Sequence, residues 1–73
     1  MIYLIYNTEE DAYARADTEG KRVGYSYWTE GTGTRWTTRP HPTKEGKWAL
    51  NVTTYDLTAE EESSTVNSYN PAE

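Results

Sequence analysis

Seventy-three residues with a net charge of −5 leave room for one small domain, whose single core supplies only about 3–5 kcal/mol of net stability. With no cysteine and a single histidine, His41, the chain excludes disulfides, thiolate metal centres and a zinc site of ordinary ligand spacing. Leu, Ile and Val together number eight, against seven Tyr and three Trp with no Phe, so the core must borrow from rings that keep a polar tip, and the same rings suit a recognition surface.

The chain opens on Met1-Ile-Tyr-Leu-Ile-Tyr6, with Ile2, Leu4 and Tyr6 on one face and Tyr3 and Ile5 on the other. Apolar residues on both faces predict a central strand covered on two sides. The run is too short to span a bilayer and carries neither a basic leader nor a small-residue cleavage site, so a soluble, non-secreted protein is expected. Thr8 then precedes Glu9, Glu10 and Asp11, an N-cap followed by acids that complement the helix dipole. The predicted helix runs to about Glu19 and closes at Gly20 as its C′ residue. Its buried stripe is Ala12, Ala16 and Tyr13, in which the two alanines permit close approach to a sheet.

Val23, Tyr25 and Tyr27 alternate with Gly24, Ser26 and Trp28, which predicts a strand over 22–29. Glu30-Gly-Thr-Gly33 reads as a turn, and Thr34 to Arg39 as a returning strand with Arg35, Thr37 and Arg39 on one face and Trp36 and Thr38 on the other. Pro40 and Pro42 withhold two backbone donors and are expected to end pairing. Lys44-Glu-Gly46 offers a further turn before Trp48, Leu50 and Val52 mark a fourth alternating strand. Thr58-Ala-Glu-Glu61 fits a capping box opening a short helix from Ala59 to Val66, with Leu57 and Val66 as its aliphatic anchors. The expected fold is a small α+β domain over residues 1–66 in β-α-β-β-β order, with an antiparallel meander and a short acidic C-terminal helix. Residues 67–73 follow as a polar tail.

Charge is segregated along the chain: residues 1–20 carry −4, residues 21–55 carry +4, and residues 56–73 carry −5 with no base. Such a split lets an acidic helix lie across a basic sheet, or leaves a basic face open to an acidic partner. No catalytic constellation accompanies it. Gly31-Thr-Gly33 lacks the Gly-Lys-Ser/Thr continuation of a phosphate loop and reads as a hairpin turn. His41, between prolines, has no Ser, Cys or Asp in a recognisable arrangement with it. Glu60, Glu61 and Glu62 point in different directions on a helix, so they read as a solvated, dipole-matched start and not as a cation site. Asn51-Val-Thr53 satisfies the glycosylation sequon, which means little without a secretion signal. The expectation is a non-enzymatic protein with no cofactor and no metal.

Tyr25, Tyr27, Trp28 and Trp36 interleave with Lys21, Arg22, Arg35 and Arg39, the residue types that stack bases and hold phosphates. A pI near 4.7 and two acidic flanks disfavour a nucleic-acid backbone as partner. Tyr, Trp and Arg are equally the anchors of protein interfaces. Trp28, Arg35, Trp36 and Arg39 are the expected partner contacts.

The run Met1-Ile-Tyr-Leu-Ile-Tyr-Asn-Thr-Glu-Glu10, the segments Gly33-Thr-Arg-Trp-Thr37 and Gly46-Lys-Trp-Ala-Leu50, and Leu57-Thr-Ala-Glu-Glu61 resemble a set of short proteins encoded by tailed bacteriophages and often found among virion structural genes. The resemblance covers most of the chain in order and implies a phage context, but it carries no catalytic or binding residues. Taken with the thin core, the polar tail and the Tyr, Trp and Arg set, it leads to the expectation of a small virion component, in a tail, baseplate or fibre connector, that docks on other phage structural proteins. The alternatives are an infection-time inhibitor of a host enzyme or immune protein and a single-stranded nucleic-acid binding module. The expected location is the virion or the host cytoplasm, with no membrane contact. Self-association is allowed by the thin core.

Overall fold

The computed structural model describes residues 1–23 and 39–72. Their elements are β1 (Tyr3–Tyr6), α1 (Glu9–Val23), β2 (His41–Pro42), β3 (Trp48–Asn51) and α2 (Ala59–Ser63). The three strands form one antiparallel sheet in the order β1-β3-β2, so the fold is of the α+β class. Among the described residues β3 lies between β1 and β2. The two strands expected over 22–29 and 34–39, with the turn between them, fall almost wholly on residues 24–38, outside the described residues.

Register follows the alternation of the sequence. Leu4 pairs with Leu50 and Tyr6 with Trp48, and the Val52 N–H donates to the Ile2 carbonyl at 2.9 Å. One face of β1 and β3 therefore carries all the large apolar side chains of both strands except Tyr3 and Ile5. That face receives α1. Leu4, Leu50, Val52, Tyr55 and Ala16 form the buried cluster, with Ile2, Tyr6, Tyr13 and Leu57 packed around it. Ala12 and Ala16 are fully buried, as the predicted small-residue stripe requires. The Thr8 hydroxyl accepts from the Asp11 N–H at 3.1 Å, which makes Thr8 the N-cap.

The helix does not stop at Gly20. It continues to Val23, so Arg22 and Val23, expected to begin a strand, are helical. Two pairs bridge the glycine along the helix surface, Lys21 to Asp17 at 3.1 Å and Arg22 to Glu19. Lys21 and Arg22 also place positive charge on the last turn, where the dipole favours it. Together these hold the turn that a single glycine weakens by about 1 kcal/mol.

Pairing also survives the prolines. His41 pairs with Ala49 and Pro42 with Trp48. A proline is tolerated there because β2 lies at the side of the sheet, where its missing donor interrupts no ladder through the centre. The turn at residues 43–47 forms as expected. Gly46 adopts φ +79° and donates to the Thr43 carbonyl at 3.1 Å, while the Thr43 N–H donates to the Lys47 carbonyl at 2.9 Å.

The capping box closes α2 at its start, with the Glu61 N–H donating to the Thr58 hydroxyl at 3.1 Å and the Thr58 N–H to the Glu61 carboxylate at 3.0 Å. The helix ends at Ser63, short of Val66. The hydroxyls of Ser63 and Thr65 donate to the Glu60 and Glu62 carbonyls and compete with its continuation. Val66 instead exchanges two backbone hydrogen bonds with Tyr3, at 2.8 and 2.9 Å. From there the polar tail crosses the sheet on the face opposite α1. The Tyr69 ring packs edge-on against Tyr3 with centroids 5.1 Å apart. The tail then reaches the far side of β2, where Lys44 N–H donates to the Asn70 carbonyl at 3.0 Å and Ala72 N–H to the Pro42 carbonyl at 3.1 Å.

Candidate docking surface

Both sides of the sheet are partly sealed by the C-terminal segment: Val66 covers β1 at Tyr3, and residues 70–72 cover β2. Covering an edge in this way blocks uncontrolled strand pairing. The seal on β1 ends at Tyr3. Since successive residues of a strand direct their backbone groups to opposite sides, and Tyr3 directs both of its groups at Val66, the Ile5 N–H and C=O point outward in the same direction. Among the described residues neither group has a hydrogen-bond partner. Beside them lies an open cleft of about 430 Å³, walled by Leu4, Ile5 and Tyr6 on one side and by Thr58, Glu60, Glu61 and Ser64 on the other. Ile5, at its rim, is 39% exposed.

The far wall is held in place by Arg15. Its guanidinium grips Glu61 through Nε at 2.7 Å and Nη2 at 3.4 Å, donates from Nη2 to the Asp56 carbonyl at 3.0 Å, and stands 5.2 Å from the centre of the Tyr55 ring. Such a fork-shaped, ring-stacked contact is a role that lysine cannot fill. Glu19, 3% exposed, lies on the same helical face; it pairs with Arg22 and Arg15, and accepts from the Asp56 N–H at 3.4 Å. The segment leading into α2 is thus tied to α1 from both sides of Asp56.

The electrostatics follow from these contacts. The hydrogen bond from Arg22 lowers the Glu19 carboxyl below its ordinary range, against the opposing effect of burial, with the Asp56 N–H and the Arg15 charge adding to it. Arg15 lowers Glu61 in the same way, assisted by the Thr58 N–H. Burial works to lower Arg15, but the hydrogen bond and charge of Glu61 outweigh it, so the guanidinium is held charged. Burial raises the Tyr6 phenol, helped by the negative charge of Glu61. Glu61 is thus ionised and paired with Arg15, whereas Glu60, on the same wall, has no ion-pair partner among the described residues.

The residues singled out by sequence fall elsewhere. Trp28, Arg35 and Trp36 lie outside the described residues, as does the Gly31-Thr-Gly33 turn. Arg39 is exposed and leads directly into buried Pro40. His41 lines a smaller recess of about 200 Å³ with Pro42, Tyr69 and Pro71, where none of the described lining residues is a carboxylate that could support acid–base chemistry. Asn51 Oδ1 accepts from the Thr53 N–H at 3.0 Å and the Thr53 hydroxyl at 2.6 Å, so the sequon serves a local turn. No cluster of three metal-ligating side chains occurs among the described residues, and no helix among them is long and apolar enough to cross a membrane.

Arg15 and Glu19 escaped the sequence reading. A signal was present: Arg15 is the lone base among the first 20 residues and shares an i,i+4 row with Glu19 beside the Ala12 and Ala16 row. Comparison with protein-family models, curated proteins and solved structures finds no match.

Proposed function

We propose that this chain is a non-enzymatic protein-docking component of a phage virion, seated on other structural proteins through the side of its small sheet. The observation that carries the docking role is the cleft at Ile5, where outward-pointing backbone groups and an exposed aliphatic side chain lie beside an anchored wall. The sequence resemblance to short tailed-phage proteins supports the virion context. The cluster of buried residues described gains from burial against a neighbour in a chain this short. Trp28, Arg35, Trp36 and Arg39 are proposed on residue type as a second set of contacts.

The test is quantitative mass spectrometry of purified particles of the encoding phage, measured against the major structural proteins. A fixed copy number per particle is the expected result. Absence from particles, with the chain recovered from infected cells, would overturn the virion reading in favour of an infection-time inhibitor.

A further inference from the structure

We propose that the cleft beside β1 accepts an extended segment of a partner protein that alternates basic and apolar residues, added as a strand next to Ile5. The proposal deepens the docking role above by naming what the surface takes.

The backbone supplies the first requirement. An incoming strand finds the Ile5 N–H and C=O presented as a pair, in line with the two hydrogen bonds that Tyr3 already makes to Val66. It would continue toward the end of β1 a pairing that the chain's own C-terminal segment begins and then abandons.

The two walls supply the second. Leu4 and Tyr6 belong to the face covered by α1, and α2 is tied to α1 through Arg15 and Glu61, so the α2 wall stands on that side of the sheet. Ile5 projects to the opposite side. Side chains of an added strand therefore alternate between meeting the α2 wall and lying beside Ile5.

Charge decides what each position takes. On the α2 wall Glu61 is matched by Arg15, which leaves Glu60 facing the cleft. Residues 56–73 contain five acids and no base, and Glu9, Glu10 and Asp11 follow β1 within five residues of Tyr6. A lysine or arginine facing α2 is complemented, whereas an acid there meets like charge on both flanks. Positions beside Ile5 favour an aliphatic residue.

The full chain, labelled with nitrogen-15, is titrated with a short capped peptide alternating lysine and valine. The expected result is chemical-shift change concentrated at Leu4, Ile5, Tyr6, Glu60 and Ser64. A matched glutamate–valine peptide should bind at least about tenfold more weakly. Methylating the lysine–valine peptide on its backbone nitrogens should abolish binding, which separates strand addition from charge attraction alone. The Glu60→Lys variant, whose exposed side chain holds nothing in the fold, should weaken binding by about fivefold. Equal binding of the two peptides, unchanged binding after methylation, or shifts mapping away from β1 would each overturn the proposal. Concentration-dependent self-association through the same residues without peptide would also overturn it, making a second copy the occupant. Its failure alongside a fixed copy number in particles would leave the virion role standing and move the contact elsewhere.

Discussion

Arg15 concentrates more of the tertiary structure than any other polar side chain described, because one guanidinium joins α1 to the Asp56 carbonyl, the Tyr55 ring and the Glu61 carboxylate. Its side chain is 14% exposed and that of Glu61 is 24% exposed, so solvent screens the pair only in part. Removing one member strands the other, and Arg15→Ala should cost about 2 kcal/mol in urea unfolding. Arg15→Lys should recover little of that loss, since an ammonium cannot reproduce the fork. The same contacts set the acid limb of stability. Glu19 and Glu61 titrate below the ordinary carboxylate value of 4.5 in the folded chain. Their contribution is therefore complete above that value and is lost as pH falls through the depressed folded values. Thermal unfolding should show a plateau near neutrality and a falling melting temperature below about pH 4.5. Glu61→Gln should lower the plateau and flatten the fall, and an unchanged acid limb in that variant would remove Glu61 from the account.

At the scale of elements, α2 is a five-residue helix with no buried residue of its own, too short to persist without its cap and its tie to α1. Thr58→Ala should cost about 1 kcal/mol and speed amide exchange from Glu61 to Ser64 while leaving β3 protected. Uniform loss of protection instead would show that α2 is integral to the core. What was legible in the sequence at this scale is what local chemistry determines. Thr8 and Thr58 announce their helices, Ala12 and Ala16 their buried row, and Trp48, Leu50 and Val52 their shared face, because each signal lies within one turn or one strand. The elements that differ were decided by side-chain pairs across the apparent stop or by partners far along the chain. Gly20 reads as a stop until Arg22 and Lys21 are seen to reach back across it. His41 and Pro42 read as a break until β3 is placed beside them. Val66 reads as a helical anchor until Tyr3 takes its backbone. The docking cleft was hidden for the same reason, since its walls come from residues more than 50 positions apart.

Among the described residues, α1 covers one face of the sheet and the C-terminal segment borders both of its sides. Leu50 and Val52 are the largest fully buried side chains among the described residues, and the tail adds contacts as well as cover. Tyr69→Ala should cost about 1 kcal/mol through the lost ring contact with Tyr3. A chain ending at Ser68 should expose the outer side of β2 and associate in a concentration-dependent way, seen by sedimentation velocity. If the shortened chain stayed monomeric, residues 70–72 would not be acting as an edge cover.

If β1 is closed at Tyr3 and open at Ile5, amide hydrogen exchange in the free chain separates the two positions. Tyr3, Leu4 and Tyr6 should be protected by Val66 and β3, while the Ile5 amide between them exchanges at least about tenfold faster. Protection of Ile5 equal to that of Leu4 and Tyr6 would mean that the edge is already occupied and that β1 offers no open position to a partner strand.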